Sequence, residues 1–161
     1  MTEKEIIDKL GLVPLEGEGG QFRQMYVSEE MYDEKHSCGT AIYFLLTDKT
    51  YSHLHRLPYD EVWHHYIGDS ITIYTIDESG NEKKYVLGKD ILNGELPQIV
   101  IKKNSWQGAK INCKEGFALL GTTMSPGYCQ EDYEIANEEE LLDKYPEYTE
   151  NIKQYVGELK Y

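Results

Sequence analysis

Cysteine is scarce in this chain, and the three present, Cys38, Cys113 and Cys129, are scattered without any CxxC spacing. That excludes a disulfide framework and points to reduced thiols in a cytoplasmic protein. Neither Cys113 nor Cys129 has a base beside it in sequence, so both read as inert thiols. Basic residues are also in deficit, with 16 Lys and Arg against 29 Asp and Glu and a formal net charge of -13. A phosphate-backbone binder needs clustered Lys and Arg, so no nucleic acid partner is expected, and the acidity serves solubility. No apolar run approaches membrane-spanning length, and the N-terminal MTEKEIIDKLGL lacks an apolar signal core, so no membrane is expected either. Phosphate loops are missing: Gly17, Gly19 and Gly20 cluster in LEGEGGQF without forming GxGxxG or a Walker pattern. A nucleophile elbow is missing too, since no GxSxG surrounds Ser125. Only 3 Phe and 2 Trp occur beside 14 Tyr. Abundant Tyr suits half-buried sheet surfaces and pocket walls better than a close-packed helical core.

What is present is one domain's worth of chain, 161 residues, patterned mostly with a period of two. Residues 2–11 predict a short helix, with Thr2 and Glu5 at capping-box spacing, an apolar stripe of Ile6, Ile7 and Leu10, and Gly11 to close it. Strands are expected over 21–28, 40–47, 51–56, 61–68, 70–77, 83–87, 98–101, 106–111 and 117–123. Asp77 to Asn81 reads as a hairpin turn, and Lys89 to Leu96 as a loop. No long helical pattern interrupts residues 20–130, so the core is all-β, a sandwich, jelly roll or barrel. The tail changes character. Asn137 caps a helix carrying Glu140, Leu141 and Leu142, and Pro146 starts another through Tyr155 or Val156.

The chemistry concentrates in Tyr51 to Gly68, which holds four of the five histidines. If 51–56 is a strand, His53 and His55 share a face, while Ser52, Leu54 and Arg56 share the other. Pro58 interrupts the ladder, and Glu61, Trp63 and His65 then share a face of the next strand. Two imidazoles and a carboxylate on facing strands resemble the set that suits Fe, Mn, Ni or Zn with open positions. Asp60 and Glu61 point to opposite faces, with Glu61 expected inside and Asp60 holding Arg56 or a loop amide. A buried carboxylate beside aromatic walls would have a raised pKa and could act as general acid or base. Trp63, Trp106, Tyr43 and Tyr26 could line a cavity and stack a planar or sugar ring, although core packing is the default for any one of them.

His53-x-His55, Glu61 and Gly68 resemble the first motif of the cupin superfamily. The second motif, PxGxxH, has its counterpart in Lys102 to Gln107, where Gln107 stands for the metal-binding His. Further blocks, Thr40 to Leu46, His55-Arg56, Asp60 to His64, Leu87-Gly88-x-Asp90, Gly94-Glu95, Trp106-Gln107 and Ser125 to Tyr128, are similar to a compact single-domain cupin family of unassigned activity that includes a yeast protein. The resemblance covers about residues 17–135. It implies a double-stranded β-helix, the cupin jelly-roll barrel, over residues 17–135 of a single 1–161 domain, with a helical tail over 137–160. It implies a homodimer and a metal held by His53, His55, Glu61 and Gln107, with no organic cofactor. Relatives are likened in shape to dTDP-sugar 3,5-epimerases. That likeness makes His55, Glu61, His64 and Tyr128 the candidate catalytic residues, His64 and Tyr128 forming an acid/base pair if the local strand is bulged. The expected ligand is a small polar molecule such as a carbohydrate. Three function classes follow: a metal-assisted isomerase, a non-catalytic binder or sensor, and a metal-dependent dioxygenase.

Overall fold

Alternating side chains need two sheets to bury one face of each, and this chain supplies both. The computed structural model describes residues 1–161. Helix α1 (Glu3–Leu10) precedes strands β1 (Val13–Pro14), β2 (Gln21–Val27), β3 (Thr40–Thr47), β4 (Ser52–Arg56), β5 (Glu61–Gly68) and β6 (Ile71–Ile76). Strands β7 (Glu82–Leu87), β8 (Gln98–Ile101), β9 (Trp106–Ile111), β10 (Phe117–Met124) and β11 (Glu134–Ile135) follow, then helices α2 (Glu138–Lys144) and α3 (Thr149–Ile152). One sheet has the order β1-β2-β3-β10-β5-β8 and the other β11-β4-β9-β6-β7. Neighbouring strands pair antiparallel throughout. From β3 onward the chain repeatedly crosses from one sheet to the other, which is jelly-roll topology.

The main core lies between the sheets, where Phe44, Leu46, Trp63, Ile73, Leu87 and Leu120 interlock. The outer face of the five-stranded sheet is covered by the tail: Leu141 of α2 and Ile152 of α3 pack on Leu54, Tyr74, Ile76 and Trp106. Helix α1 covers part of the other outer face by setting Ile6 against Leu12, Leu45 and Leu119. Its ends follow the sequence closely, with Thr2 and Glu5 in a reciprocal capping box and Gly11 closing it in the left-handed region at φ 63°. Asn137 caps α2 by accepting from the Glu140 amide.

Two strands escape the sequence pattern, β1 and β11, because two residues carry no readable period. The tail also differs from expectation. After Pro146 comes a 3₁₀ turn (Pro146–Tyr148), and α3 ends at Ile152 rather than reaching Tyr155. The cause is tertiary. The Tyr155 carbonyl accepts the Leu54 amide at 2.8 Å, and its ring stacks on Tyr74 at 5.3 Å between centroids. That bond to β4 draws the chain out of the helix. Gly68, the last residue of the first motif, has φ 95°, and a Cβ there would lie 2.2 Å from the Phe117 carbonyl oxygen. Only glycine fits that close approach.

Candidate functional site

Between the sheets the apolar core gives way to a cluster of polar side chains, and Glu18 is its hub. The glycine turn on either side presents it: Gly17 and Gly19 both have positive φ, and a Cβ on Gly19 would lie 2.4 Å from the Tyr51 carbonyl oxygen. The Glu18 carbonyl also accepts the His53 amide at 2.9 Å, which ties the turn to β4. The carboxylate of Glu18 accepts the Ser52 hydroxyl at 2.6 Å and lies 4.0 Å from His55 Nε2. Ser52 and His55 are three residues apart, so a regular strand would put them on opposite faces. A bulge reconciles them, since Ser52 pairs with Ala109 and His55 with Gln107, three steps along β4 against two along β9.

The His55 Nδ1 atom lies 2.7 Å from the His53 carbonyl oxygen. A carbonyl only accepts, so Nδ1 carries the proton and Nε2 is left as the basic nitrogen facing Glu18. Tyr133 stacks on this imidazole with ring centroids 5.0 Å apart, and its hydroxyl donates to the Gly17 carbonyl at 2.9 Å. On the facing sheet, Glu61 is buried, as expected of the inward face of β5. Its Oε2 accepts Gln107 Nε2 at 2.7 Å, and Gln107 Oε1 accepts the Trp63 indole N–H at 3.0 Å. Burial pushes the Glu61 carboxyl above the ordinary range, the nearby Glu18 adds to this, and His55, Thr122 and Gln107 oppose it. Tyr128 is half-buried, and desolvation followed by the charges of Glu18 and Glu61 keeps its phenol firmly protonated.

The structure thus brings His55, Glu61, Gln107, Trp63 and Tyr128 to one region, and adds Glu18, Thr122 and Tyr133. Glu18 left one signal in the sequence, an acid set among glycines. Tyr133 left none. Other candidates lie elsewhere. The β4 bulge turns His53 toward the tail, where Nδ1 is 2.9 Å from the Leu54 carbonyl and Nε2 accepts the Gly157 amide at 3.3 Å. Desolvation holds its pKa below the usual value. His64 is on the outer face of β5, with Nε2 2.9 Å from the Thr123 hydroxyl and its ring stacked on Tyr66. A bulge does occur in β5, but it falls at Tyr66, after His64, too late to turn that side chain toward Tyr128. Tyr43 packs edge-on against Tyr66, away from the interior, and Tyr26 is 56% exposed. Trp106 faces the tail, with the Arg56 guanidinium 4.5 Å over its ring. Asp60 holds a loop amide, that of Lys103 at 2.8 Å, together with the Lys102 ammonium, while Arg56 pairs with Glu134.

A cleft of about 490 Å³ opens beside Arg56 and Trp106, with Glu78, Asn104, Glu134 and Lys144 on its walls. It is lined by none of His55, Glu61, Gln107 or Tyr128. The chemistry of the barrel therefore belongs to the buried cluster and not to the surface cleft.

Residues 4–136 match the family model described as Cupin superfamily (DUF985). The chain belongs to that family. A protein from Shewanella oneidensis is 35% identical and superposes with a TM-score of 0.92 over 98% of both chains. A hypothetical protein from Leishmania major is 29% identical, with a TM-score of 0.90 over 98% of this chain and 100% of that one. An oxalate decarboxylase variant from Bacillus subtilis shares the fold alone, at 15% identity and a TM-score of 0.58 over 93% of this chain and 39% of that chain. No match is found among curated proteins.

Many cupins hold a divalent metal inside the barrel, and the donors here do not form that set. His53 is engaged with Gly157, and both amide atoms of Gln107 are committed, one to Glu61 and one to Trp63. His53 is thus turned away from His55, Glu61 and Gln107, and the close-set group of His, Cys, Asp or Glu donors in this molecule lies elsewhere.

Proposed function

We propose that the barrel interior is a small-molecule pocket for metal-free proton transfer of the isomerase or epimerase type. Its substrate class is a carbohydrate or related polar metabolite bearing a carbonyl. The reading rests on one arrangement: an imidazole whose Nδ1 is tied to a carbonyl and whose free Nε2 faces a carboxylate at 4.0 Å. In this reading His55 Nε2 takes the proton from the carbon next to the substrate carbonyl, and the Glu18 carboxylate stabilises the imidazolium that forms. Tyr128, held protonated, returns a proton to the resulting enolate. Tyr133, stacked on His55, supplies a flat wall for a ring.

Deuterium wash-in tests it. The protein is incubated in D₂O with keto-sugars and nucleotide-linked keto-sugars, and loss of the C–H signal is followed by proton NMR. Wild type is expected to catalyse exchange, His55→Ala to lose on the order of 10²-fold or more, and Tyr128→Phe to exchange without completing isomerisation. Exchange unaffected by His55→Ala would sink the assignment.

A second reading is a non-catalytic binder. It draws support from Glu61 and Gln107, which are tied to each other and to Trp63 instead of standing free for chemistry. Ligands that raise the melting temperature without any exchange in D₂O would favour it.

A further inference from the structure

A second cluster stands apart from the barrel interior, where the β2–β3 connection folds onto the segment after β10. His36, 7% exposed, is its centre. Its Nδ1 lies 2.8 Å from both carboxylate oxygens of Asp33, and its Nε2 lies 2.6 Å from Asp132 Oδ2. Cys129 completes the group: one donor atom each from His36, Cys129 and Asp132 all lie within 4.8 Å of one another. The Tyr59 ring closes one side, edge-on to the imidazole at 5.1 Å between centroids. Lys35 and Glu131 form an ion pair beside it.

We propose that His36 Nε2, the Cys129 thiolate and the Asp132 carboxylate bind a thiophilic divalent cation, zinc above all. The chemistry of the donors argues for it. Zinc takes nitrogen, sulfur and carboxylate oxygen in tetrahedral sets, and three protein ligands leave a fourth position for water. A thiolate in the set selects against magnesium and calcium, which take oxygen ligands. Two anionic ligands neutralise the ion. Asp33 supplies what a bare cluster lacks, a carboxylate on the far nitrogen of the ligating histidine. Such a partner keeps a proton on Nδ1 and orients the ring, and on binding the ion displaces the proton that Nε2 donates to Asp132 in this structure. Cys129 and Asp132 are partly exposed, so an ion can enter.

The placement gives the ion a consequence. Cys129 and Asp132 belong to the segment that carries Tyr128 and Tyr133, and His36 belongs to a separate loop. Binding would clamp the two loops together at the edge of the barrel. The ion does not depend on the proton-transfer reading, because it uses none of His55, Glu18 or Glu61.

Cobalt titration of the full-length, chelator-treated protein tests the site. The expected result is a thiolate-to-cobalt charge-transfer band with visible bands of tetrahedral cobalt, saturating at one ion per chain and bleached by zinc. The band should vanish in Cys129→Ser and persist in Cys113→Ser and Glu61→Gln. Asp33→Asn, which removes no ligand, should weaken binding by about 10–100-fold. A wild type with no band would overturn the proposal. So would a band that survives Cys129→Ser, or one that is lost in Glu61→Gln. Circular dichroism checks that each variant is folded, and Asp33→Asn keeps the test informative if Cys129→Ser is not.

Discussion

Glu61 sits where a carboxylate is poorly solvated, and its titration follows from that. Its folded pKa is raised chiefly by burial. Below the ordinary glutamate range both folded and unfolded chains hold the proton, and the protonated residue costs nothing. As pH climbs from that range through the raised folded value, the folded chain keeps a proton the unfolded chain has released. Stability therefore falls across this window. Glu61→Gln, which cannot ionise and still offers an oxygen to Gln107, should melt with wild type below the window and above it at higher pH. A melting-temperature difference that stays flat from acid to neutral pH would contradict the assignment. His55 and Glu61 were both legible as inward residues from the alternation of their strands. The same alternation put His53 on that face too, and the structure turns it to the tail, because a bulge leaves no mark in the residue pattern and moves a side chain to the other face.

Among the elements, the tail helices show how packing overrides local signals. Asn137 and Pro146 announce two starts, yet α3 is a single turn that survives because Ile152 is fully buried against the outer sheet face. Isolated helices of this length are not stable in water, so the packing holds them. Ile152→Ala should lower stability by about 2–5 kcal/mol, the usual cost of emptying an aliphatic core site. Urea unfolding would show this as a lower midpoint. Because the same tail presents Gly157 to His53 and Tyr155 to Leu54, amide exchange at Gly157 and Leu54 should also quicken. Unchanged exchange there would mean that the tail is held by something other than α3.

The whole molecule presents one outer sheet face that nothing covers completely. Helix α1 takes one end, and the remainder displays Tyr26, Tyr66 and Val100, exposed at 56%, 47% and 45%. Apolar residues gathered on one face commonly mark an interaction surface, and closed two-fold pairing is the commonest use of one. We propose that two copies meet here. Sedimentation should report a dimer for wild type and a monomer for Tyr66→Glu combined with Val100→Glu, with far-ultraviolet circular dichroism preserved in both. A wild-type monomer would reject the pairing. No helix is long and apolar enough to cross a membrane, and the strong negative charge predicts no affinity for DNA or heparin at physiological salt.

By itself the sequence determined nine of the eleven strands, the helix caps, the turns and the cupin family, because each depends on short-range spacing: period two, capping-box intervals, glycine where φ must be positive. It also identified Glu61 as an inward acid, from its neighbours on one strand. Only the tertiary structure decided which side chains meet. It brought Glu18 from a glycine turn and Tyr133 from the segment after β10 to His55, and it turned His53 to the tail. It also joined His36 to Cys129 and Asp132 across almost a hundred residues of chain. Such meetings depend on the bulge register and on the path of the loops between sheets, and those are set by packing across the barrel, which no local interval records.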